Sequence, residues 1–326
     1  MAGGQLSISA VVVTYNRRRS LAPVIDRLLA SEATNELVVV VNGCRDGSLE
    51  YLEERRDHDS RIRPLFIENQ RVSGARQRGV EHARSDVVVV FDDDVLVEPG
   101  ALEGHAEHHA RQERSVLLGY MPIRLPQRRR GDDMYRFFYQ ASYEGMTELW
   151  EQRPETILEG FWAGHFSCKR ADALAVGLAD VGVRLYYHED QAFGLRCKEA
   201  GLTGHFDRRL ASEHAFSRDL KAFSRDAYLH GVDRVRLEES KSGAVGAGRT
   251  LLAPRSFGEK LWIGGTRDAR LGAVFERLLE LSITGTGRLR WFDAQTNAAH
   301  RLWRVSSLRG IRAALNADVD LGPRAG

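Results

Sequence analysis

Residues 87–97 read V-V-V-V-F-D-D-D-V-L-V, an apolar run of strand length that ends in three consecutive carboxylates. Val87 to Phe91 are β-branched or aromatic with no polar alternation, the pattern of a strand buried on both faces of a parallel sheet. Asp92, Asp93 and Asp94 follow at its carboxyl end, the edge at which open α/β sheets take their ligands. Three adjacent carboxylates repel one another unless a positive group joins them. A divalent cation with oxygen ligands is one such partner, and it can in turn hold a diphosphate. An acidic turn that only caps a strand uses the same residue types, so the rest of the chain has to separate the two readings.

Upstream, strand and helix alternate at short spacing. L6-S-I-S-A-V-V-V-T14 is predicted as a strand ending at Thr14-Tyr15-Asn16-Arg17, with a helix behind it that has Ser20 as its cap and Pro23 in its first turn. E36-L-V-V-V-V41 ends in Asn42 and a compact Asn-Gly, Asp-Gly loop; R61-I-R-P-L-F-I67 leads into a helix opening near Ser73 and carrying Arg76. Buried strands alternating with helices argue for right-handed parallel β-α units. Four strand ends then converge on one edge. No G-x-G-x-x-G or G-x-x-x-x-G-K-S/T pattern occurs there, so neither a dinucleotide Rossmann site nor a P-loop is supported.

Beyond the acidic strand, residues 99–114 form a polar helix in which His105 and His109 stand one turn apart; with no carboxylate beside them, a solvated helix is expected. The aromatic stretch from Met134 to Trp150 has helical spacing and is expected mostly in the core. A glycine-bounded strand is predicted over 159–170. After it, Glu189-Asp190 opens a helix that ends at Gly201, where two carboxylates gain from the helix dipole whatever else they do.

The net charge of +2 over 326 residues gives no overall field for nucleic acid, and the run Arg128 to Arg130 lacks interleaved aromatics, so no nucleic-acid partner is expected. Cys44, Cys168 and Cys197 form no C-x-x-C pair, which suits a reducing cytosol. With no bilayer-length apolar run and no signal-peptide pattern, the reading is cytoplasmic, with membrane association only peripheral.

V11-V-V-T-Y-N-R17, V41-N-G-C-R-D-G-S48, S73-G-A-R-Q-R-G79, V89-V-F-D-D-D-V95 and Y187-H-E-D-Q-A-F-G-L-R-C-K-E-A-G201 follow one another in an order that resembles the inverting family 2 glycosyltransferases of GT-A fold, over roughly residues 6–215. The resemblance implies an α/β chain of GT-A (nucleotide-diphospho-sugar transferase) fold, with a mostly parallel sheet and flanking helices. Its catalytic domain is expected over 1–217, divided into a nucleotide-binding half (1–98) and an acceptor-binding half (99–217). A helical extension is expected over 218–326, with Trp262, Trp291 and Trp303 packing its helices.

The resemblance also distributes roles. Thr14, Tyr15, Asn16, Arg17, Asn42 and Arg76 would hold the nucleotide, with Asp92 and, at the variable position, Asp93. Asp92 and Asp94 match the D-x-D acids that hold a divalent cation, Mn2+ or Mg2+, and His214 suits the histidine that completes such a site in some relatives, which favours manganese. Asp190 matches the general base, with Glu189 beside it; Gly164, His165 and Ser167 lie where relatives contact donor sugar or acceptor. The chemistry fits these residue types: a cation neutralises charge building on a departing diphosphate, and a carboxylate takes the proton of an attacking hydroxyl. Two departures stand out. Val41 replaces the acid that reads uracil in many relatives, leaving thymidine and guanosine donors open, and His165 replaces a frequent asparagine. A sugar-nucleotidyltransferase and a non-catalytic nucleotide-sugar-binding module remain alternatives; the acceptor and the oligomeric state are left open.

Overall fold

The computed structural model describes residues 6–179, 184–216, 218–243, 247–254, 260 and 263–316. The chain divides into two compact units. The first comprises Met1–Arg124, Tyr143–Asp180 and Glu189–Phe216; the second comprises Leu125–Ser142, Val181–His188 and Ser217–Gly326.

The first unit is an eight-stranded mixed sheet. Its strands are β1 (Ile8–Thr14), β2 (Thr34–Asn42), β3 (Ile62–Ile67), β4 (Val87–Asp92), β5 (Val95–Val97), β6 (Ser115–Tyr120), β7 (His165–Lys169) and β8 (Thr203–His214), in the spatial order β3-β2-β1-β4-β7-β6-β8-β5. β3, β2, β1 and β4 are all parallel. Their unbroken valine runs follow from that position: Val11, Val12, Val38 to Val41 and Val87 to Val90 are fully buried. The chain leaves β1 for β2 on one side and returns through β4 on the other, which makes the β1/β4 boundary a topological switch point. Thr14 and Asp92 end the two strands there. β7 then joins β4 antiparallel, with Phe91 opposite His165, and β5 joins β8 antiparallel, with Val95 opposite His214.

Helices cover the sheet. α1 (Arg18–Leu29) buries Leu21, Val24, Ile25 and Leu28, one helical stripe. Its start corrects the predicted cap: Arg17 holds the N-cap position without a side-chain bond, Ser20 instead donates to the Arg17 carbonyl, and Pro23 lies inside the helix. α2 (Ser48–His58) follows β2, and α3 (Val72–His82) brings Arg76 beneath the β4 end. α4 (Ala101–Arg111) packs on β4, β6, β7 and β8. α5 (Met134–Gln152), α6 (Arg170–Val176) and α7 (Glu189–Glu199) complete the series, with Tyr143 and Trp150 of α5 in the core as predicted.

The second unit is built on α8 (Leu220–Ser242), α9 (Ala269–Arg288) and α10 (Phe292–Asn316). α8 and α10 touch backbone to backbone: a Cβ on Gly231 would lie 2.0 Å from the Ser307 carbonyl oxygen, and one on Gly310 would lie 2.0 Å from that of Tyr228. Trp303 packs against Phe138, Tyr139 and Phe223 in this core, as expected. Trp291 is 62% exposed instead, and Trp262 lies outside the described residues. No described helix is long and apolar enough to cross a membrane.

Candidate active site

The parallel strands deliver their carboxyl ends to one edge of the first unit, and the side chains there are already wired together. Asp93 is buried. It accepts hydrogen bonds from the Thr14 hydroxyl at 2.8 Å and from Arg17 Nη1 at 3.0 Å, and the same Arg17 nitrogen donates to Asp94 Oδ2 at 2.6 Å. Arg17 is thus a resident counter-charge for two of the three acids. Burial pushes the Asp93 carboxyl up to about 6, against the pull of Arg17. Burial acts on Asp94 too, yet His214 and Arg17 outweigh it and hold that group well below the usual carboxylate range.

His214 reaches Asp94 through sheet register. β8 runs antiparallel to β5, so His214 stands opposite Val95; the Ala215 N–H donates to the Asp94 carbonyl at 2.8 Å, and His214 Nε2 lies 3.1 Å from Asp94 Oδ1. Among the described residues no cluster of three or more His, Cys, Asp or Glu side chains is gathered for a metal ion. Asp94 and His214 nevertheless suit a divalent cation in part. Two adjacent ligands of a six-coordinate ion with bonds of about 2.1 Å stand about 3.0 Å apart, close to the separation seen. Asp92 turns the other way. Its Oδ1 accepts from Arg76 Nη2 at 2.7 Å, and its side chain keeps 33% exposure.

Asp190 completes this edge from the far half of the sequence. It sits in the first turn of α7, where Oδ2 accepts from the Ala163 N–H at 3.2 Å and Oδ1 from the Gln191 N–H at 2.7 Å. Gly164 makes the approach possible. Its φ of +124° strains any other residue, and an added Cβ would come 3.0 Å from Asp92 Oδ2 and 2.8 Å from the Met121 sulfur. Arg76 is buried among the acids: desolvation works against its charge, and Asp92, Glu189 and Asp190 restore it. Burial pushes the Asp190 carboxyl up to about 6, only partly offset by the two N–H donors and by Arg76, while Asp92 adds to the rise. Ser73, Arg76, Ala163, Glu189 and Asp190 line one small pocket together.

The remaining predicted positions divide. Tyr15 is half-buried at the edge; Asn16 holds a left-handed φ of +51° and accepts from the Arg45 N–H at 2.8 Å. Asn42 is buried and reciprocally bonded to the Gln70 backbone, donating to its carbonyl at 2.8 Å and accepting from its N–H at 2.9 Å, so its amide ties two loops together. His165 does not face the pocket. As the partner of Phe91 it points to the α4 side, where its ring is 1% exposed and its nitrogens lie 2.9 Å from His105 Nε2 and 3.0 Å from Ser212 Oγ. Ser167, also buried, stands 2.7 Å from His105 Nδ1 and 2.8 Å from His109 Nε2.

This cluster corrects the solvated reading of the α4 histidines: His105 and His109 are fully buried. A signal for it exists in the sequence, because they share a stripe with Ala101, Leu102 and Ala106. Burial drives His165 and His109 down to about 3 and His105 well below its ordinary value, keeping the rings neutral. The Ala163 N–H that holds Asp190, and Ser212 that holds the His165 ring, are partners to which sequence reasoning gave no role.

In sequence and in fold the chain is similar to known proteins. Residues 9–168 match the glycosyl transferase family 2 model. The chain is 24% identical over 253 residues to the uncharacterized glycosyltransferase YfnE of Bacillus subtilis, covering 64% of each chain, and 29% identical over 115 residues to the putative glycosyltransferase EpsH of the same organism, covering 35% of this chain and 33% of that one. It therefore spans less than two thirds of the length of these curated relatives. Among solved structures, the mannosyltransferase PcManGT of Pyrobaculum calidifontis, in complex with GDP-Man and Mn2+, superposes with a TM-score of 0.57 at 14% identity, over 94% of this chain and 87% of that one. GalNAc-T7 with UDP, GalNAc and Mn2+ gives 0.52 at 13% identity, over 73% and 51%. The fold is that of the GT-A transferases. Over residues 9–168 the chain carries a glycosyl transferase family 2 domain.

Proposed function

We propose that this chain moves a sugar from a nucleoside-diphosphate sugar to an acceptor hydroxyl with inversion at the anomeric carbon, and that Asp190 is the general base. The observation that carries the proposal is the meeting of Asp190 with Asp92 around the buried guanidinium of Arg76. A base and a phosphate-binding cation are thereby set in one pocket. The solved neighbours that hold GDP-Man, or UDP and GalNAc, each with Mn2+, support a donor of this class.

In this reading the acceptor oxygen attacks the anomeric carbon while the bond from that carbon to the diphosphate oxygen breaks, and the acceptor proton passes to Asp190. A carboxyl raised to about 6 is ionised at neutral pH yet basic enough to accept that proton. Arg76 faces the phosphates, Tyr15 and Asn16 flank the nucleoside, and Asp92 approaches the ribose; Gly164 leaves space for the donor sugar. Thr14, Asp93 and Asn42 act through the backbone and acids they hold rather than by touching the nucleotide. Asp94 and His214, with Asp92, would hold a divalent cation, which when bound supplies a positive charge for the departing diphosphate. Arg17 keeps Asp94 ionised and aimed. Catalysis is assigned to the chain up to residue 217, with the helices beyond it as a separate extension.

A thermal-shift screen of UDP-, dTDP- and GDP-sugars with and without Mn2+ tests the donor class, since a ligand that binds only the folded state raises Tm by mass action. No shift with any of them sinks the proposal. A donor that binds but is neither hydrolysed nor transferred by the wild type turns it into a binding module.

A further inference from the structure

Among the described residues, the second unit carries an apolar face that its own packing does not use. Leu271, Val274, Leu278 and Leu281 of α9 each expose 53–56% of their surface. At 3.6 residues per turn they fall within an arc of about 80° and run about 15 Å along the helix axis. Leu289 and Trp291, 59% and 62% exposed, extend the strip around the corner into α10. The opposite side of α9 is the one that builds the unit: Gly272 packs on the Arg309 side chain, Glu276 pairs with Arg309, Ile283 is buried, and Gly287 lies against Gln295. A surface helix needs one apolar stripe to hold its place, and α9 has a second facing water.

The charges beside this strip have one sign. Arg270, Arg277 and Arg288 line up within about 20° of each other along its edge, and Arg290 follows at the corner. Arg277 keeps a bond to Glu280 at 3.2 Å but remains 72% exposed. The acids of α9 are turned away: Glu276 to Arg309, and Glu280 also to the Ser224 hydroxyl at 3.1 Å. Asp268 is occupied as the N-cap, accepting from the N–H groups of Arg270 and Leu271, and Asp293 sits in the first turn of α10.

We infer that this face of α9, with the corner at Leu289 and Trp291, is a docking surface for an anionic lipid bilayer. The aliphatic strip and the indole enter the boundary between headgroups and acyl chains while the arginine row meets the phosphates, the arrangement by which a helix lies in a membrane surface without crossing it. A second copy of the chain is the poorer occupant. An antiparallel pair of such faces, with the two-fold axis across the helices, brings two arginine rows to one seam, a parallel pair leaves one row at each edge, and in neither does an exposed acid of α9 meet a row.

The test is sedimentation of the full chain with vesicles of phosphatidylcholine alone and of phosphatidylcholine mixed with phosphatidylglycerol, at low and high salt. The expected result is binding to the mixed vesicles roughly tenfold above that to neutral ones, weakened by salt. Leu278→Gln with Leu281→Gln should lower that binding roughly tenfold, and Arg277→Gln with Arg288→Gln should erase the preference for anionic lipid. Glutamine is a good helix former at exposed positions, and unchanged circular dichroism and melting confirm that the variants fold. The inference is overturned if the wild type stays in the supernatant with both vesicles, or if the leucine variant sediments as the wild type does. A dimer seen by light scattering that the leucine variant dissolves, without vesicle binding by the wild type, assigns the face to a second copy and also overturns it.

Discussion

Two groups of ionisable side chains lie on opposite sides of β4, and they are built for opposite ends. On one side Asp92 and Asp190 gather about Arg76 while Asp94 is held by Arg17 and His214, with Asp92 partly open to solvent. On the other side a buried chain of hydrogen bonds runs from His109 through Ser167, His105 and His165 to Ser212. Both contain strongly displaced pKa values. On the first side Asp190 lines a pocket together with Arg76 and Glu189. A perturbed titration therefore does not by itself mark a catalytic group: on the histidine side burial keeps the rings neutral, and their hydrogen bonds knit α4, β7 and β8 together.

The sharpest way to break this contrast is Asp190→Asn. Transfer should fall about a thousandfold while donor affinity, followed by thermal shift, stays nearly unchanged; equal loss of both gives Asp190 a binding role instead. In the wild type the rate should decline as pH drops through about 6, where Asp190 takes up its proton, and the same limb should be missing from donor binding. Asp94→Asn comes next. Removing the charge that faces His214 and Arg17 should weaken Mn2+ binding roughly a hundredfold in calorimetry, and an unchanged affinity would move the cation elsewhere.

On the closed side the effects belong to stability. Ser167→Ala strands nitrogens of two buried histidines and should cost roughly 2 kcal/mol in urea unfolding, with turnover per folded molecule unchanged. Loss of turnover without loss of stability would mean the network serves the chemistry. His165→Phe probes the sign of the pH dependence. A histidine depressed to about 3 in the folded state binds fewer protons than its unfolded counterpart below pH 6.5, so it subtracts stability as pH falls from 6.5 towards 3. The wild type's stability advantage over His165→Phe should therefore narrow on acidification, and a widening gap would contradict a neutral ring. The smallest effect expected is Thr14→Val, about 1 kcal/mol for the lost hydrogen bond to buried Asp93, read as a shift in urea midpoint.

Much of this was legible in the chain itself. Val38 to Val41 and Val87 to Val90 announce strands buried on both faces, and helices between such strands force a parallel sheet with its ends on one edge. From that follows the placement of Thr14, Asn16 and Asp92 near one another. The antiparallel β7 and its glycine made the difference for Asp190: nothing local in E189-D190 says that its carboxylate turns to the Ala163 N–H rather than capping α7 in solvent.

Which side of a strand a residue faces depends on register. His165, one residue after Gly164, points away from the site that its neighbour helps to shape. Whether an amide or carboxylate is already satisfied depends on partners distant in sequence, as with Asn42 on Gln70 and Arg17 on Asp93 and Asp94. Period, composition and motif order thus determined the strands, the helices and the acids at their tips, because these follow from local backbone preference and burial. Only the tertiary structure decided which acids share a guanidinium, which histidines are sealed in, and which leucines of α9 stay exposed to water, because hydrogen-bond saturation and solvent exposure are properties of neighbours in space.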